Sequence, residues 1–119
     1  MPPDHLYLSD MVGAADIIAQ RLAAYDVDRF LADDVMQDAV LRQLLVIGEA
    51  VAHVTPALQA RYPAVPWARI KAFRNFAVHR YRSVDWQRVW DTATVNVPPL
   101  RADIALLLAA EFPNDEAGA

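Results

Sequence analysis

Apolar residues recur at every third or fourth position along most of this chain, and nowhere do they alternate with polar ones long enough to make a strand. Leu8, Met11, Ala15, Ile18, Leu22 and Tyr25 trace one such seam, spaced like the a and d positions of a heptad repeat. The spacing predicts a first helix from about Asp4 to Tyr25, with Asp4 and Asp10 toward the positive end of its dipole. Asp26 to Asp33 reads as a polar, irregular connection whose Phe30 and Leu31 turn back onto the core. Asp33 or Asp34 then caps a second helix running to about Val54. Its apolar set, which includes Val35, Val40, Leu44, Ile47 and Val51, is broad enough to be buried on more than one side. Gly48 sits in the middle of this helix, where glycine costs about 1 kcal/mol relative to alanine. Close approach of another helix is the simplest compensation.

Prolines and caps divide the rest. Thr55-Pro56 is an N-cap followed by proline in the first turn, so a short helix is expected from 56 to about 61. Tyr62 to Pro66 carries two prolines and reads as an extended connection. Trp67, Ile70, Phe73 and Ala77 form the stripe of a third main helix that stops between His79 and Ser83. Asp85 caps a fourth helix carrying Trp86, Val89, Trp90 and Ala93, which Pro98-Pro99 is expected to break or kink. Leu100 to Phe112 reads as the last helix. The expected architecture is an all-α, four- to five-helix, largely up-and-down bundle. It forms a single domain over residues 1–112, with 113–119 as a flexible tail.

Several chemistries find no support. The chain has no cysteine, which excludes disulfides and thiolate metal sites. It has no glycine-rich phosphate loop and no serine nucleophile elbow. The residues after Met1 are amphipathic, unlike a signal peptide, and no stretch approaches the roughly 18 apolar residues of a membrane span. A soluble, cytoplasmic protein is therefore expected. Glu49 and His53 come nearest to a carboxylate metal motif, but such sites need Glu-x-x-His pairs on two helices. No metal or cofactor is expected, and the pair reads as a buried polar lock between helices.

Charge is strongly segregated. Net charge is −4, yet the segment from Arg69 to Arg88 holds Arg69, Lys71, Arg74, Arg80, Arg82 and Arg88 against Asp85 alone. That segment is +5 and the remainder −9, so the overall acidity can hide a local anion site, although a solvated helix face that uses arginine would carry the same charges. Arg74, Asn75, His79, Arg80 and Tyr81 crowd the end of the third main helix. Arginine is a permanent, bidentate phosphate ligand, and histidine moves protons near neutrality. Tyrosine adds a hydroxyl. These are the groups that phosphoryl-transfer chemistry on RNA needs when no metal takes part. On a regular helix Asn75 and His79 share a face, as do Arg74 and Tyr81, whereas Arg74 and His79 lie about 140° apart. The last two converge on one phosphate if the helix distorts or if a second subunit contributes. A helix C-terminus also favours cations for purely structural reasons.

The pattern Arg-x-x-x-x-His-x-Tyr, here Arg74, His79 and Tyr81, resembles the signature of HepT-like toxins of the HEPN group. The resemblance extends to Tyr7-Leu-Ser-Asp-Met11, Ile47-Gly-Glu-Ala50, Val65-Pro-Trp67, Arg74-Asn75 and Val84-Asp-Trp86, and so covers nearly the whole chain. Arg80 departs from it, since a small residue usually separates the histidine and tyrosine. The resemblance implies a metal-independent RNA endonuclease acting as the toxin of a toxin–antitoxin pair. Its partner would be a nucleotidyltransferase antitoxin of the MntA type, which transfers AMP to the motif tyrosine, Tyr81. It also implies a homodimer in which two motifs face one cleft. On this reading Arg74 and His79 are catalytic, Asn75 and Glu49 support them, and Arg69, Lys71, Arg80 and Arg82 bind RNA. Two other readings stand beside it: a non-catalytic regulatory subunit of a nucleotidyltransferase, and a structural bundle dimerising through the first-helix seam.

Overall fold

Aspartate and threonine write most of the helix starts. The computed structural model describes residues 3–79 and 83–113, with the backbone alone for 75–79. Its elements are α1 (Asp4–Leu22), α2 (Val27–Leu31), α3 (Asp34–His53), α4 (Pro56–Arg61), α5 (Trp67–His79), α6 (Trp86–Asp91), a π-helical turn (Thr92–Asn96) and α7 (Val97–Glu111). No strand occurs among the described residues. Asp33 caps α3 by accepting from the Met36 N–H at 3.0 Å, and Asp85 caps α6 by accepting from the Arg88 N–H at 3.1 Å. Thr55 caps α4 through the Leu58 N–H and is itself gripped by Asp4. The Asp4 carboxylate accepts from the Thr55 N–H at 2.9 Å and its hydroxyl at 2.6 Å. An acid in the first turn of α1 thus ties that turn to the start of α4.

The stretch expected to be irregular between α1 and α3 instead holds α2, capped by Asp26 through the Arg29 N–H. Phe30 is fully buried, but Leu31, one step further round the helix, is exposed, which corrects the expectation for it. Gln37 is buried and satisfied, donating to the Phe30 and Leu31 carbonyls at 3.1 and 3.2 Å. It closes the end of α2 onto α3. α1 stops at Leu22, and the Tyr25 hydroxyl donates to Asp33 at 2.6 Å.

The α1 seam is fully used within the chain. Leu8, Met11, Ala15, Ile18 and Leu22 are buried, with α1 packed on α3 and α7. Each of the larger ones, Leu8, Met11, Ile18 and Leu22, contributes roughly 1.5–3 kcal/mol of burial. The seam therefore closes the chain's own core and gives no support to a dimer built on it.

Pro98 and Pro99 do not break the fourth helix, which runs unbroken from Trp86 to Glu111. The π turn explains this. The Val97 N–H reaches back five residues to the Thr92 carbonyl, and the prolines fall in the first turn beyond it. The Thr92 and Thr94 hydroxyls donate back to the Arg88 and Trp90 carbonyls at 2.7 and 2.8 Å, each four residues earlier, on the approach to and within the turn. This continuity also corrects the expectation about spans, since Trp86–Glu111 is long and apolar enough by length and composition to cross a membrane. Ile104, Leu107 and Leu108 of this helix are buried.

Candidate active site

Trp67 anchors the start of α5. Its indole is buried, and its Nε1–H donates to the Tyr62 carbonyl at 3.0 Å. From there α5 packs along α3, and Gly48 of α3 lies directly against Arg74 of α5. A Cβ placed on Gly48 would meet Arg74 Cβ at 2.5 Å, Cγ at 3.3 Å and Cα at 3.4 Å. The glycine is the compensated one expected from its mid-helix position, and the residue it admits is the motif arginine. Any side chain at 48 would push α5 away.

The next residue of α3 takes the arginine's head group. Glu49 Oε2 accepts from Arg74 Nε at 2.8 Å, while Oε1 lies 3.3 Å from His53 Nε2, one turn along. The Tyr7 ring of α1 stacks on the His53 ring, with centroids 5.0 Å apart and planes 16° from parallel. Arg74 is 33% exposed, Glu49 53% and His53 51%. The Glu49–His53 pair is therefore no buried lock. It lies on the surface of α3, where it faces α5 and α1. An ion pair this exposed contributes about 1 kcal/mol or less to stability, so its effect is on where the guanidinium points. Among the described residues no group of three or more His, Asp or Glu side chains could hold a metal ion.

The other expected site residues divide into two sets. Arg69 and Lys71 are exposed on α5, two turns or less before Arg74. Arg69 also shares with Arg88 a groove of about 470 Å³ between α5, α3 and the α6–α7 helix, floored by Leu44, Ile70 and Phe73. The side chains of Asn75 and His79, and all of Arg80, Tyr81 and Arg82, lie outside the described residues. Glu49, expected to support Arg74 and His79, is joined directly to Arg74. The sequence marked His53 only as a partner of Glu49, and Tyr7 only within the Tyr7–Met11 match, with neither assigned to the site. The i,i+4 spacing of Glu49 and His53 was visible, but the stack of Tyr7 on His53 comes from α1–α3 packing and has no local signal.

The family profile described as Ribonuclease HepT-like matches residues 11–107. The probable ribonuclease HepT of Thermococcus cleftensis is 30% identical over 95 residues, 80% of this chain and 86% of that protein. A candidate RNase of Caldanaerobacter subterraneus subsp. tengcongensis is 27% identical over 105 residues, 88% of this chain and 94% of its own length. A candidate RNase of Methanocaldococcus jannaschii is 28% identical over 102 residues, 86% and 88% of the two chains. No solved structure matches. The matched span takes in Gly48, Glu49, Arg74 and the whole Arg-x-x-x-x-His-x-Tyr pattern, and the chain belongs to the HepT-like ribonuclease family.

Proposed function

We propose that this HepT-like ribonuclease cuts RNA without a metal ion and acts as the toxin of a toxin–antitoxin pair. The observation that carries the chemistry is Arg74: the root of its side chain sits against Gly48 of α3, and its partly exposed guanidinium is bonded to Glu49. RNA brings its own nucleophile, the 2′-hydroxyl. In the proposed step His79 takes the 2′-hydroxyl proton, the 2′-oxygen bonds to the adjacent phosphorus, and the bond to the 5′-oxygen breaks. The departing oxygen takes a proton from an imidazolium, leaving a 2′,3′-cyclic phosphate and a 5′-hydroxyl end. Arg74 stabilises the charge that builds on the phosphate oxygens. Asn75 orients the phosphate or His79, and Arg69, Lys71, Arg80 and Arg82 hold the flanking backbone.

Positions 74 and 79 both belong to α5, which is helical to its end at His79. Five residues of helix separate them by about 140°. That separation favours a homodimer in which each copy supplies part of a shared cleft. Control is proposed at Tyr81, where a nucleotidyltransferase antitoxin adds AMP. The phosphate would compete with RNA for Arg74, Arg80 and Arg82.

The test is incubation of the purified chain with total RNA in EDTA. The wild type is expected to give fragments with cyclic phosphate ends. Arg74→Ala and His79→Ala are expected to give none while keeping native helicity. Equal cleavage by all three proteins would sink the assignment.

A further inference from the structure

Four residues link three helices in one line of contact that ends on the motif arginine. Tyr7 of α1 stacks on His53 of α3, His53 Nε2 stands 3.3 Å from Glu49 Oε1, and Glu49 Oε2 holds Arg74 Nε of α5 at 2.8 Å. An arginine side chain has many rotamers to lose when it is fixed, and a single exposed carboxylate is a loose anchor for it. Here the root of Arg74 is set by its contact with Gly48 and its Nε by Glu49. The second oxygen of Glu49 is engaged by a histidine whose own ring is stacked. The guanidinium is thereby oriented from both ends. The arrangement is poor for affinity alone, because it puts a carboxylate beside the place a phosphate must enter.

We infer that Tyr7, His53 and Glu49 form a positioning chain that orients the Arg74 guanidinium toward the scissile phosphate. This rests on the reading of Arg74 as the phosphate-stabilising residue. Orientation and affinity then separate in kinetics. Glu49→Ala is expected to lower kcat about 10- to 100-fold, the cost of a misplaced catalytic group. It is also expected to lower KM for RNA, because a repelling charge is gone. His53→Ala and Tyr7→Leu are expected to lower kcat several-fold with KM little changed. Tyr7→Phe, which keeps the ring, restores what Tyr7→Leu loses. A residue that served only packing would lower the melting temperature without splitting kcat from KM.

The experiment combines steady-state cleavage of an RNA oligonucleotide with the ¹H–¹⁵N resonance of the Arg74 Nε–H in the same proteins. A sharp Arg74 signal that broadens in Glu49→Ala, His53→Ala and Tyr7→Leu, and recovers in Tyr7→Phe, supports the chain. An inactive Arg74→Ala alongside wild-type kcat and an unchanged Arg74 signal in His53→Ala and Tyr7→Leu overturns the positioning chain alone. An Arg74→Ala variant as active as the wild type overturns the phosphate role of Arg74, and this inference with it.

Discussion

Gly48 and Arg74 touch so closely that a methyl group on the glycine would lie 2.5 Å from the arginine's Cβ. The obstructing atom is bonded to the α5 backbone, so it cannot swing aside. Gly48→Ala should therefore cost about 1–3 kcal/mol of overpacking, of which better helix propensity returns about 1. RNA cleavage should fall by more than the stability loss explains, since Arg74 is displaced. In an Arg74→Gly background the clash disappears, and the same substitution becomes neutral or stabilising in urea unfolding. An equal loss in both backgrounds would show that the contact does not set the helix spacing.

Ile18 is 1% exposed in the middle of the α1 seam. Ile18→Ala should lower the unfolding free energy by about 2–5 kcal/mol. It should leave the oligomeric state untouched, because the seam faces α3 and α7 of the same chain. Light scattering of the wild type at micromolar concentration is expected to give the mass of a dimer. A monomer there would contradict the shared-cleft reading, and a dimer lost in Ile18→Ala at full helicity would return the seam to the interface.

Tyr81 is the expected target of the antitoxin. Co-expression with the cognate nucleotidyltransferase should raise the mass of the peptide containing Tyr81 by one or more AMP units. Tyr81→Phe should keep much of the RNase activity, since no proton passes through the phenol in the proposed step, and should escape neutralisation. An unmodified peptide after co-expression would end this part of the reading.

Acid should loosen the contact between α4 and the end of α7. Arg61 donates to both oxygens of Glu111 at 3.1 Å, and the Tyr62 hydroxyl donates to Oε1 at 2.8 Å. The Arg61 hydrogen bonds first, and Tyr62 second, hold the Glu111 carboxyl below its ordinary value of 4.5. A depressed carboxyl contributes stability above that value and loses it as pH falls through the folded pKa. The melting temperature of the wild type should thus fall below about pH 4.5 more steeply than that of Glu111→Gln. Parallel curves would assign the acid loss to other groups, Asp33 among them, whose carboxyl is lowered by Tyr25 and the Met36 N–H.

Much of the scaffold was legible because its signals are local. Asp33, Thr55 and Asp85 act as caps from their own sequence neighbourhoods, and Gly48 announced a close helix by being a glycine in a helix interior. Local pattern fails where neighbours part company. Phe30 and Leu31 are equally apolar, yet about 100° of helix turn puts one in the core and the other in solvent. In the site, Arg74 stood out by motif. The partnership of Glu49 with Arg74, and of His53 with Tyr7, depends on how α5 and α1 dock against α3, and docking leaves no periodic trace in one helix. Pro98-Pro99 misled for a related reason, because proline is tolerated in the first turn of a helix, and the π turn that puts these two there has no local signal.

The turn from Thr92 to Asn96 is in effect a phase shifter. Val89, Ala93 and Val97 are all buried and spaced by four. Eight residues of regular α-helix overshoot two full turns by roughly 80°, enough to roll the third of them out of the core. The wider turn winds back part of that overshoot, and Val97, Ile104, Leu107 and Leu108 beyond it are buried as Val89 is before it. The local stretch of the ladder therefore keeps two halves of one rod in register. The turn thus holds one residue more than the register needs: a one-residue deletion between Thr92 and Asn96 would straighten the ladder and leave the second half facing the core, because seven residues of regular helix turn roughly 700°, about 20° short of two full turns.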